Sequence, residues 1–253
     1  MKKIIGIIPS RYASSRFPAK ALADILGKPM IQRVYEQASK STVLEKVIVA
    51  TDDKRIFDVV NSFGAEAIMT SENHKSGTDR CAEALKNLGE DFDFVINIQG
   101  DEPLIHPSQI DDIGKILTGD VQLATLVKKI STTQNLLDVN ATKAVLDKNN
   151  FALYFSRLPI PYVRDHGQED WVRQNVYWEQ VGIYAYRNDI LQEITELPQS
   201  PLEKAESLEQ LRWMENGYMV KVGFTEYDSQ CIDTPEDLEI MLERLRSNQS
   251  LLS

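Results

Sequence analysis

The sequence predicts an α/β fold: a Rossmann-like, doubly wound, mostly parallel mixed sheet with helices on both faces. Short runs rich in isoleucine and valine, as at residues 4–8 and 94–98, have the length and composition of strands that are buried on both faces. Longer segments with helix signals separate these runs through the first half of the chain. Alternation of strand and helix at this spacing builds right-handed βαβ units, so the strands are expected to share one sheet.

In the first half, predicted strands and helices alternate. Strands are expected at residues 4–8, 46–50, 65–69 and 94–98, and helices at 29–38, about 53–63, 76–88 and 107–117. Pro29 occupies a first-turn position that tolerates proline. Either Asp52 or Asp53 can cap the second helix. Ser76 and Asp79 have the spacing of a capping box at the start of the third helix.

The second half is less regular. Strands are expected at residues 123–128, 143–146, 152–155, 182–186 and 221–224, some close enough to form hairpins, and helices at 201–215 and 235–245. No linker, repeat or low-complexity segment divides the chain, so we expect one domain over residues 1–253.

Composition narrows the class of protein. The 253 residues carry a net charge of −10, which argues against a nucleic-acid polymer as partner but not against a small phosphate ligand. No run of about 18 apolar residues exists, so no membrane span is expected. The apolar start is too short for a secretory signal, and Cys81 and Cys231 are far apart and lack metal-ligand spacing. A reducing, cytoplasmic location is therefore expected.

A basic loop at residues 9–20 follows the first predicted strand. It contains Arg11, Arg16 and Lys20 and no acidic residue. Ligands of open α/β sheets bind beyond the carboxyl ends of the strands, and guanidinium and ammonium groups suit a polyanion there. The chain has neither of the familiar glycine-rich phosphate motifs, so cationic side chains would replace them. The loop is therefore a candidate triphosphate site; the alternative is a solvated basic loop.

Two aspartates are candidate metal ligands. Asp101 follows the strand at 94–98, and Asp233 precedes the helix at 235–245. Mg²⁺ takes oxygen ligands, typically one or two carboxylates together with phosphate oxygens and water. The alternatives are structural: Gly-Asp before a proline suits a turn, and Thr234 with Asp237 can cap the last helix. Capping leaves Asp233 without a structural role.

These motifs, in this order, resemble those of the 3-deoxy-manno-octulosonate (Kdo) cytidylyltransferases. They include Pro-Ser-Arg-Tyr-Ala-Ser-Ser-Arg-Phe-Pro-Ala-Lys at 9–20, His-Lys-Ser-Gly-Thr-Asp-Arg at 74–80, Asn-Ile-Gln-Gly-Asp-Glu-Pro at 97–103, Tyr-Phe-Ser-Arg at 154–157 and Ile-Asp-Thr-Pro-Glu-Asp at 232–237. Shorter matches occur at 27–31, 49–53, 69–71, 182–186 and 207–212. The resemblance covers nearly the whole chain and implies a fold of the nucleotidyltransferase type.

The resemblance also implies an activity: CTP and Kdo react to CMP-Kdo and pyrophosphate, for lipopolysaccharide synthesis. Mg²⁺ would be the cofactor, and a homodimer the assembly. Residues up to about 120 would form a nucleotide-binding half, and residues from about 121 a sugar-binding and dimerisation half.

The family pattern assigns roles by position. The residues implied for CTP binding are Ser10, Arg11, Arg16, Lys20, Ser76, Gly77, Arg80 and Gln99. Asp101 and Asp233 would hold the metal, and both would act in catalysis together with Arg11 and Lys20. The residues implied for the acidic sugar are Arg157, Gln180, Glu209 and Gln210. Two of these roles also suit the side chains: an amide can donate to and accept from a base edge, and a guanidinium matches a carboxylate.

The chain departs from the family at one position of the sugar set. Gln180 stands where the family usually has histidine, and Glu179 precedes it. A less positive pocket suggests a modified octulosonate such as 8-amino-Kdo; the alternative is neutral drift, because glutamine can still hydrogen-bond a hydroxyl. Two other functions share the expected fold: a glycosyltransferase that consumes a nucleotide sugar, and a non-catalytic CTP-binding module. The glycosyltransferase would usually carry Asp-x-Asp where this chain has Gly-Asp-Glu at 100–102.

Overall fold

A computed structural model describes residues 2–14 and 16–248. Its strands are β1 Ile4–Ser10, β2 Asp24–Ile25, β3 Lys28–Pro29, β4 Lys46–Thr51, β5 Glu66–Met69, β6 Phe94–Asn97, β7 Leu123–Lys129, β8 Lys143–Leu146, β9 Ala152–Ser156, β10 Trp178–Arg187 and β11 Val220–Phe224. Its helices are α1 Met30–Ala38, α2 Lys54–Ser62, α3 Gly77–Leu88, α4 Pro107–Ile116, α5 Thr133–Leu137, α6 Trp171–Gln174, α7 Asn188–Thr195, α8 Pro201–Glu206, α9 Glu209–Glu215 and α10 Pro235–Ser247. Short 3₁₀ turns lie at Lys20–Leu22 and Gln168–Asp170.

Nine strands form one mixed sheet, which confirms the predicted fold class. The order is β11-β7-β10-β6-β1-β4-β5. β1 is parallel to β4 and β6, and β5 continues this parallel set beside β4. β10 runs antiparallel between β6 and β7, and it also pairs with the β8–β9 hairpin. One sheet therefore runs through both halves of the chain.

Two apolar cores cover the faces of this sheet. Along β1, Ile4 and Ile8 belong to one core and Ile5 and Ile7 to the other, because successive strand residues point to opposite faces. The first core is completed by residues of α1, α2 and α4, and the second by residues of α3, α7 and α9. Burying one such isoleucine stabilises the fold by about 1.5–3 kcal/mol. The sheet position of β1, and hence of the loop after it, is strongly fixed.

The predicted helix starts are confirmed at three helices. Asp53 caps α2 by accepting the Arg55 N–H, and Ser76 and Asp79 form the capping box of α3. Thr234 caps α10 by accepting the Asp237 N–H at 3.2 Å. The cap of α10 occupies Thr234 and Asp237 and leaves the carboxylate of Asp233 free for other contacts.

The prediction of one helix over residues 201–215 is wrong. The chain forms α8 and α9 with a break at Ser207, which has a left-handed φ of 52°. The guanidinium of Arg157 donates to the carbonyls of Glu206 at 2.6 Å and Ser207 at 3.2 Å, so the break leaves these acceptors satisfied. Propensity alone could not reveal a break that a distant arginine stabilises.

Several elements were not predicted from the sequence. They are the short pair β2 and β3, the helices α5, α6 and α7, and the first four residues of β10. Most are short or lack a clear apolar period, so local pattern gives little signal for them. None of the helices in the described part of the chain has the length and apolar character needed to cross a bilayer.

Candidate active site

A cavity of about 310 Å³ lies beyond the carboxyl ends of β1 and β6. It is lined by every residue predicted for CTP or metal: Ser10, Arg11, Arg16, Lys20, Ser76, Gly77, Arg80, Gln99, Asp101 and Asp233. These residues come from four separate segments of the sequence, which the sheet brings together at one edge. The position agrees with the general rule for ligands of open α/β sheets.

Glycines allow the loops around the cavity to approach each other closely. A Cβ on Gly100 would lie 2.8 Å from the carbonyl oxygen of Pro9, and one on Gly77 would lie 3.2 Å from the Pro9 side chain. Because real side chains do not tolerate the first distance, the β1 and β6 loops can meet there only with glycine at residue 100.

The amino end of α3 opens onto the cavity. Ser76 is its N-cap and Gly77 its first residue, and both line the cavity wall. The free N–H groups and the dipole of a helix favour negative charge at this end. Together with Arg11 and Lys20 on the opposite loop, this wall makes the cavity suited to a polyanion.

The two candidate metal ligands converge on one ammonium group. Lys20 Nζ lies 2.6 Å from Asp101 Oδ2 and 3.4 Å from Asp233 Oδ1. Arg16 Nη2 lies 3.0 Å from the same Asp233 oxygen. The backbone N–H of Ile232 also donates to the Asp101 carbonyl at 2.9 Å, which ties the two acidic segments together. The predicted meeting of two aspartates 132 positions apart is confirmed as geometry; their role as metal ligands stays a prediction.

Arg80 is a buried wall of the cavity. Its Nη2 lies 2.7 Å from Asp52 Oδ2, and its Nη1 donates to Thr70 Oγ1 at 2.6 Å and to the Ser71 carbonyl at 3.3 Å. Because these contacts occupy both terminal nitrogens, the guanidinium shapes the cavity by holding the ends of β4 and β5. A direct contact with the nucleotide stays a prediction.

Two further cavity residues, His74 and Lys75, received no role from the sequence alone. His74 Nε2 contacts the carboxylate of Glu83, which also accepts the Ser71 N–H at 2.8 Å. Burial opposes ionisation of Glu83, but the hydrogen bonds from Ser71 and His74 prevail and lower its pKa. The available signal was the motif at 74–80, in which both residues stand beside Ser76.

Three predicted sugar residues lie together at the start of α9 and on the facing strand β10, in two separate sets of hydrogen bonds. Gln210 Nε2 donates to Gln180 Oε1 at 2.8 Å, and Gln180 Nε2 contacts the Tyr184 hydroxyl. Glu209 accepts from the Thr78 hydroxyl at 3.0 Å. Burial raises the pKa of Glu209, although the Thr78 hydrogen bond and a nearby arginine oppose the rise. Glu209 also accepts a hydrogen bond from Ser76, which lines the cavity, so the Glu209 end of this cluster adjoins the cavity.

Arg157, the fourth predicted sugar residue, does not line the cavity. Besides its contacts with the α8–α9 break, its Nη1 donates to the Val139 carbonyl at 3.1 Å. These bonds give it a structural role, and contact with a sugar stays a prediction. The residue's position at the end of β9 depends on tertiary contacts that spacing could not reveal.

A buried carboxyl group supports the aspartate pair from behind. Glu102 is 3% exposed and accepts from Cys231 Sγ at 3.3 Å. Burial raises the pKa of Glu102, and the neighbouring Asp101 charge acts in the same direction, whereas hydrogen bonds from Ser229 and Cys231 oppose it. Glu102 therefore joins the β6 loop to the loop that carries Asp233.

The donor set at this edge suits a hard cation. Asp101 and Asp233 offer carboxylate oxygens close to one point. Across residues 2–14 and 16–248, no group of three or more His, Cys, Asp or Glu side chains is arranged to hold a metal ion. The pair by itself thus resembles the partial oxygen set that Mg²⁺ completes with substrate phosphates and water.

The doubly wound sheet, the cationic cavity and the aspartate pair define an enzyme of the nucleotidyltransferase class. A family model described as cytidylyltransferase matches residues 5–225. The chain belongs to the family of 3-deoxy-manno-octulosonate cytidylyltransferases, as its relatives of that name indicate. It is 55% identical to the one from Parabacteroides distasonis over 244 residues, covering 94% of this chain and 96% of that protein. It is 53% identical to the one from Bacteroides thetaiotaomicron over 249 residues, covering 97% and 99%.

Solved structures agree with this family. The structure of CMP:2-keto-3-deoxy-manno-octonic acid synthetase complexed with CTP matches with a TM-score of 0.88 at 42% identity, covering 97% of this chain and 99% of that one. A 4-diphosphocytidyl-2C-methyl-D-erythritol synthase from Anaerococcus prevotii matches with a TM-score of 0.62 at 15% identity, covering 97% and 99%. The second likeness concerns the fold alone.

Proposed function

We propose that this protein transfers the cytidylyl group of CTP to 3-deoxy-manno-octulosonate and releases pyrophosphate. The observation that carries the proposal is the cavity in which a basic loop, a helix N-terminus and two aspartates face one another. Family membership supplies the substrates, since the relatives are named for this sugar and this transfer. In this reaction a bond forms between the anomeric oxygen of the sugar and the α-phosphorus of CTP. The bond between that phosphorus and the pyrophosphate group breaks.

The basic loop is suited to the triphosphate. Arg11 and Lys75 make no ion pair with any residue that the structure describes, so their charge is available to phosphate oxygens. Arg16 and Lys20 can shift from carboxylate to phosphate, because both groups accept the same charged donors. Such transfers depend mainly on positioning and charge neutralisation, which these side chains supply. Ser76, Gly77 and Gln99, which also line the cavity, would contact the nucleoside.

Asp101 and Asp233 would hold Mg²⁺, which fits their oxygen chemistry and their shared contact point. When bound, the ion neutralises phosphate charge and lowers the pKa of an attacking hydroxyl. Glu102 and the Ile232–Asp101 hydrogen bond keep the two aspartates in place for this role.

The cluster of Gln180, Glu209 and Gln210 would receive the sugar beside the nucleoside. Gln180 uses both ends of its amide within the cluster. It can thus serve as a neutral hydrogen-bonding residue in place of histidine. The relatives are named for unmodified Kdo, and the amino-sugar alternative is not favoured.

The test is pyrophosphate release with CTP, Mg²⁺ and a panel of 2-keto sugar acids. Kdo should give the fastest turnover, and none should occur when the sugar is omitted. CTP binding without turnover on any sugar acid would point to a binding module instead. Turnover of a nucleotide sugar without pyrophosphate would point to a glycosyltransferase. Faster use of 8-amino-Kdo than of Kdo would restore the modified substrate.

Assembly as a cytoplasmic homodimer also remains a proposal. Large apolar side chains are exposed on β9 and around it: Val139, Leu153, Leu158, Tyr162 and Val176. Monomeric proteins rarely expose extended apolar patches, so these residues are candidates for the subunit contact. Sedimentation of the wild type and of Leu158→Glu should give a dimer and a weakened dimer; a monomeric wild type would exclude the assembly.

A further inference from the structure

The ion pairs at the cavity place a lysine where a divalent cation would be coordinated. Lys20 Nζ contacts one oxygen of Asp101 and one of Asp233 at 2.6 and 3.4 Å. The Lys20 side chain is only 15% exposed, and that of Asp101 24%. The Asp233 side chain is 40% exposed. The Lys20–Asp101 pair is therefore the better shielded of the two, and it is screened less than a surface pair, so its charges matter to any third ion.

The three segments that meet here also share one small apolar core. Phe17 and Leu104 pack against an apolar cluster that includes Ile232, so the basic loop, the β6 loop and the Asp233 loop are held together through side chains other than the charged ones. The backbone N–H of Lys20 also donates to the Phe17 carbonyl at 3.3 Å. The ammonium is therefore brought to the aspartates by the fold and does not depend on the ion pairs alone.

We propose that Lys20 is an internal counter-ion that makes metal binding at Asp101 and Asp233 depend on the nucleotide. Without a phosphate ligand, the ammonium competes with a divalent cation for the same carboxylate oxygens and repels it. A triphosphate gives Lys20 a stronger, multiply charged partner, and the two oxygens become free for the metal. The proposal rests on the proposed function, because it takes the aspartates as the metal site.

The coupling must act in both directions. If phosphate binding raises the affinity for the metal through Lys20, then metal binding raises the affinity for phosphate by the same factor. Such an arrangement keeps the metal from settling on the aspartates before the substrate that it serves. It also assigns Lys20 a positioning role before the reaction, distinct from charge stabilisation during it.

Arg16 provides an internal comparison. It contacts Asp233 alone, at 3.0 Å, and its side chain is 66% exposed. Its pair is therefore better screened by solvent and spans only one of the two carboxylates. Removing Arg16 should therefore raise the affinity of the two aspartates for a metal ion less than removing Lys20 does.

The experiment is a titration with Mn²⁺ in the absence of nucleotide, read by electron paramagnetic resonance of the free ion. Lys20→Met should bind Mn²⁺ at least tenfold more tightly than the wild type, which corresponds to about 1.4 kcal/mol. Arg16→Met should gain less. The matched control is Lys28→Met. Lys28 does not line the cavity and pairs with Glu36 at 2.6 Å, so its removal should leave Mn²⁺ binding unchanged. Adding Asp101→Asn to Lys20→Met should remove the gain.

Each outcome decides the proposal. Equal Mn²⁺ affinity in the wild type and Lys20→Met overturns it, as does an equal gain in Lys28→Met or a gain that survives Asp101→Asn. Lys20→Gln repeats the test with a polar side chain, and thermal melting confirms that each variant is folded. Pyrophosphate release by the wild type is measured separately: if it occurs while Mn²⁺ binding ignores Lys20, the counter-ion role fails and the proposed function stands. If the wild type releases no pyrophosphate with CTP and any sugar acid, the proposed function fails first.

Discussion

Replacing Asp101 by asparagine should nearly abolish turnover and leave the fold intact. The substitution keeps the size of the side chain and one of its oxygens but removes the charge. Asp101 contributes one of the two carboxylates that contact Lys20 and that, in the proposed function, would hold the metal. An amide is a weaker ligand for a hard cation, and it leaves Lys20 with the longer contact to Asp233 alone.

The expected magnitudes for activity and stability differ widely. Loss of one preorganised electrostatic contact to a developing charge costs about 10²–10³-fold in kcat, or about 2.7–4 kcal/mol. After the substitution Lys20 still pairs with the carboxylate of Asp233, so the loss of one of its two ion pairs should cost about 1 kcal/mol of folding stability. For a chain of this size, such a loss lowers Tm by about 2–4 °C. The variant should therefore be folded and inactive.

The assay combines pyrophosphate release with thermal melting followed by circular dichroism. The matched control is Asp112→Asn, because Asp112 pairs with Lys115 at 2.8 Å on α4, outside the cavity. It should show wild-type turnover and a comparably small change in Tm. Turnover of Asp101→Asn within a few-fold of the wild type would refute the assignment of Asp101 to the reacting phosphates.

Three further predictions follow from buried groups and close contacts. Arg212→Met removes the guanidinium that lies 2.9 Å from the buried carboxylate of Glu203. Because this leaves a buried charge without its cationic partner, the free energy of unfolding measured in urea should fall by about 3–5 kcal/mol. The raised pKa of Glu102 makes its ionisation unfavourable in the folded state. The wild type should therefore lose stability as pH rises above the ordinary carboxyl pKa of 4.5, and Glu102→Gln, which cannot ionise, should become more stable relative to it over that range. Gly100→Ala would place a methyl group 2.8 Å from the Pro9 carbonyl oxygen, and should cost about 1–3 kcal/mol and weaken CTP binding in calorimetry.

Two of these predictions have a control variant in the same chain, and the third is checked by its pH dependence. Arg187→Met breaks an ion pair with Asp189 that is more exposed, and should cost no more than about 1 kcal/mol. Gly119→Ala meets no atom within 4 Å and should leave CTP binding unchanged. For Glu102→Gln, a stability difference from the wild type that is constant from pH 4 to pH 8 would show that its ionisation is not disfavoured by burial.

The elements with strong local signals were predictable from the sequence. β1, β4 and β6 are short apolar runs, and α2, α3 and α10 begin at side chains that cap them. In each case the residues that determine the element lie within it or beside it. The break at Ser207 was not predictable, since its carbonyls bond to Arg157, 50 positions earlier. Local sequence pattern therefore predicts the parallel strands in the first half of the chain better than the elements in the second half.

The same distinction applies to the site. Lys20 and Asp101 follow adjacent strands of a parallel pair, so their meeting could be expected from the carboxyl-end rule. The roles of Arg80 and Arg157 could not, because their partners are backbone carbonyls and an aspartate brought by other elements. An arginine in a motif can either bind a ligand or hold the fold together, and only the tertiary contacts show which of these roles it has.

Asp233 shows most clearly what sequence order alone does not determine. It follows β11, which lies at the far edge of the sheet, separated from β6 by β7 and β10. The loop from 225 to 233 must therefore cross these strands to reach Lys20. Stacking of Tyr227 on His106, with ring centroids 3.7 Å apart, and the Cys231–Glu102 contact hold the loop along this path. Since neither contact touches the cavity cations, substitutions at Tyr227 should act on catalysis only by displacing Asp233, through a loss of metal affinity with little change in the affinity for CTP alone.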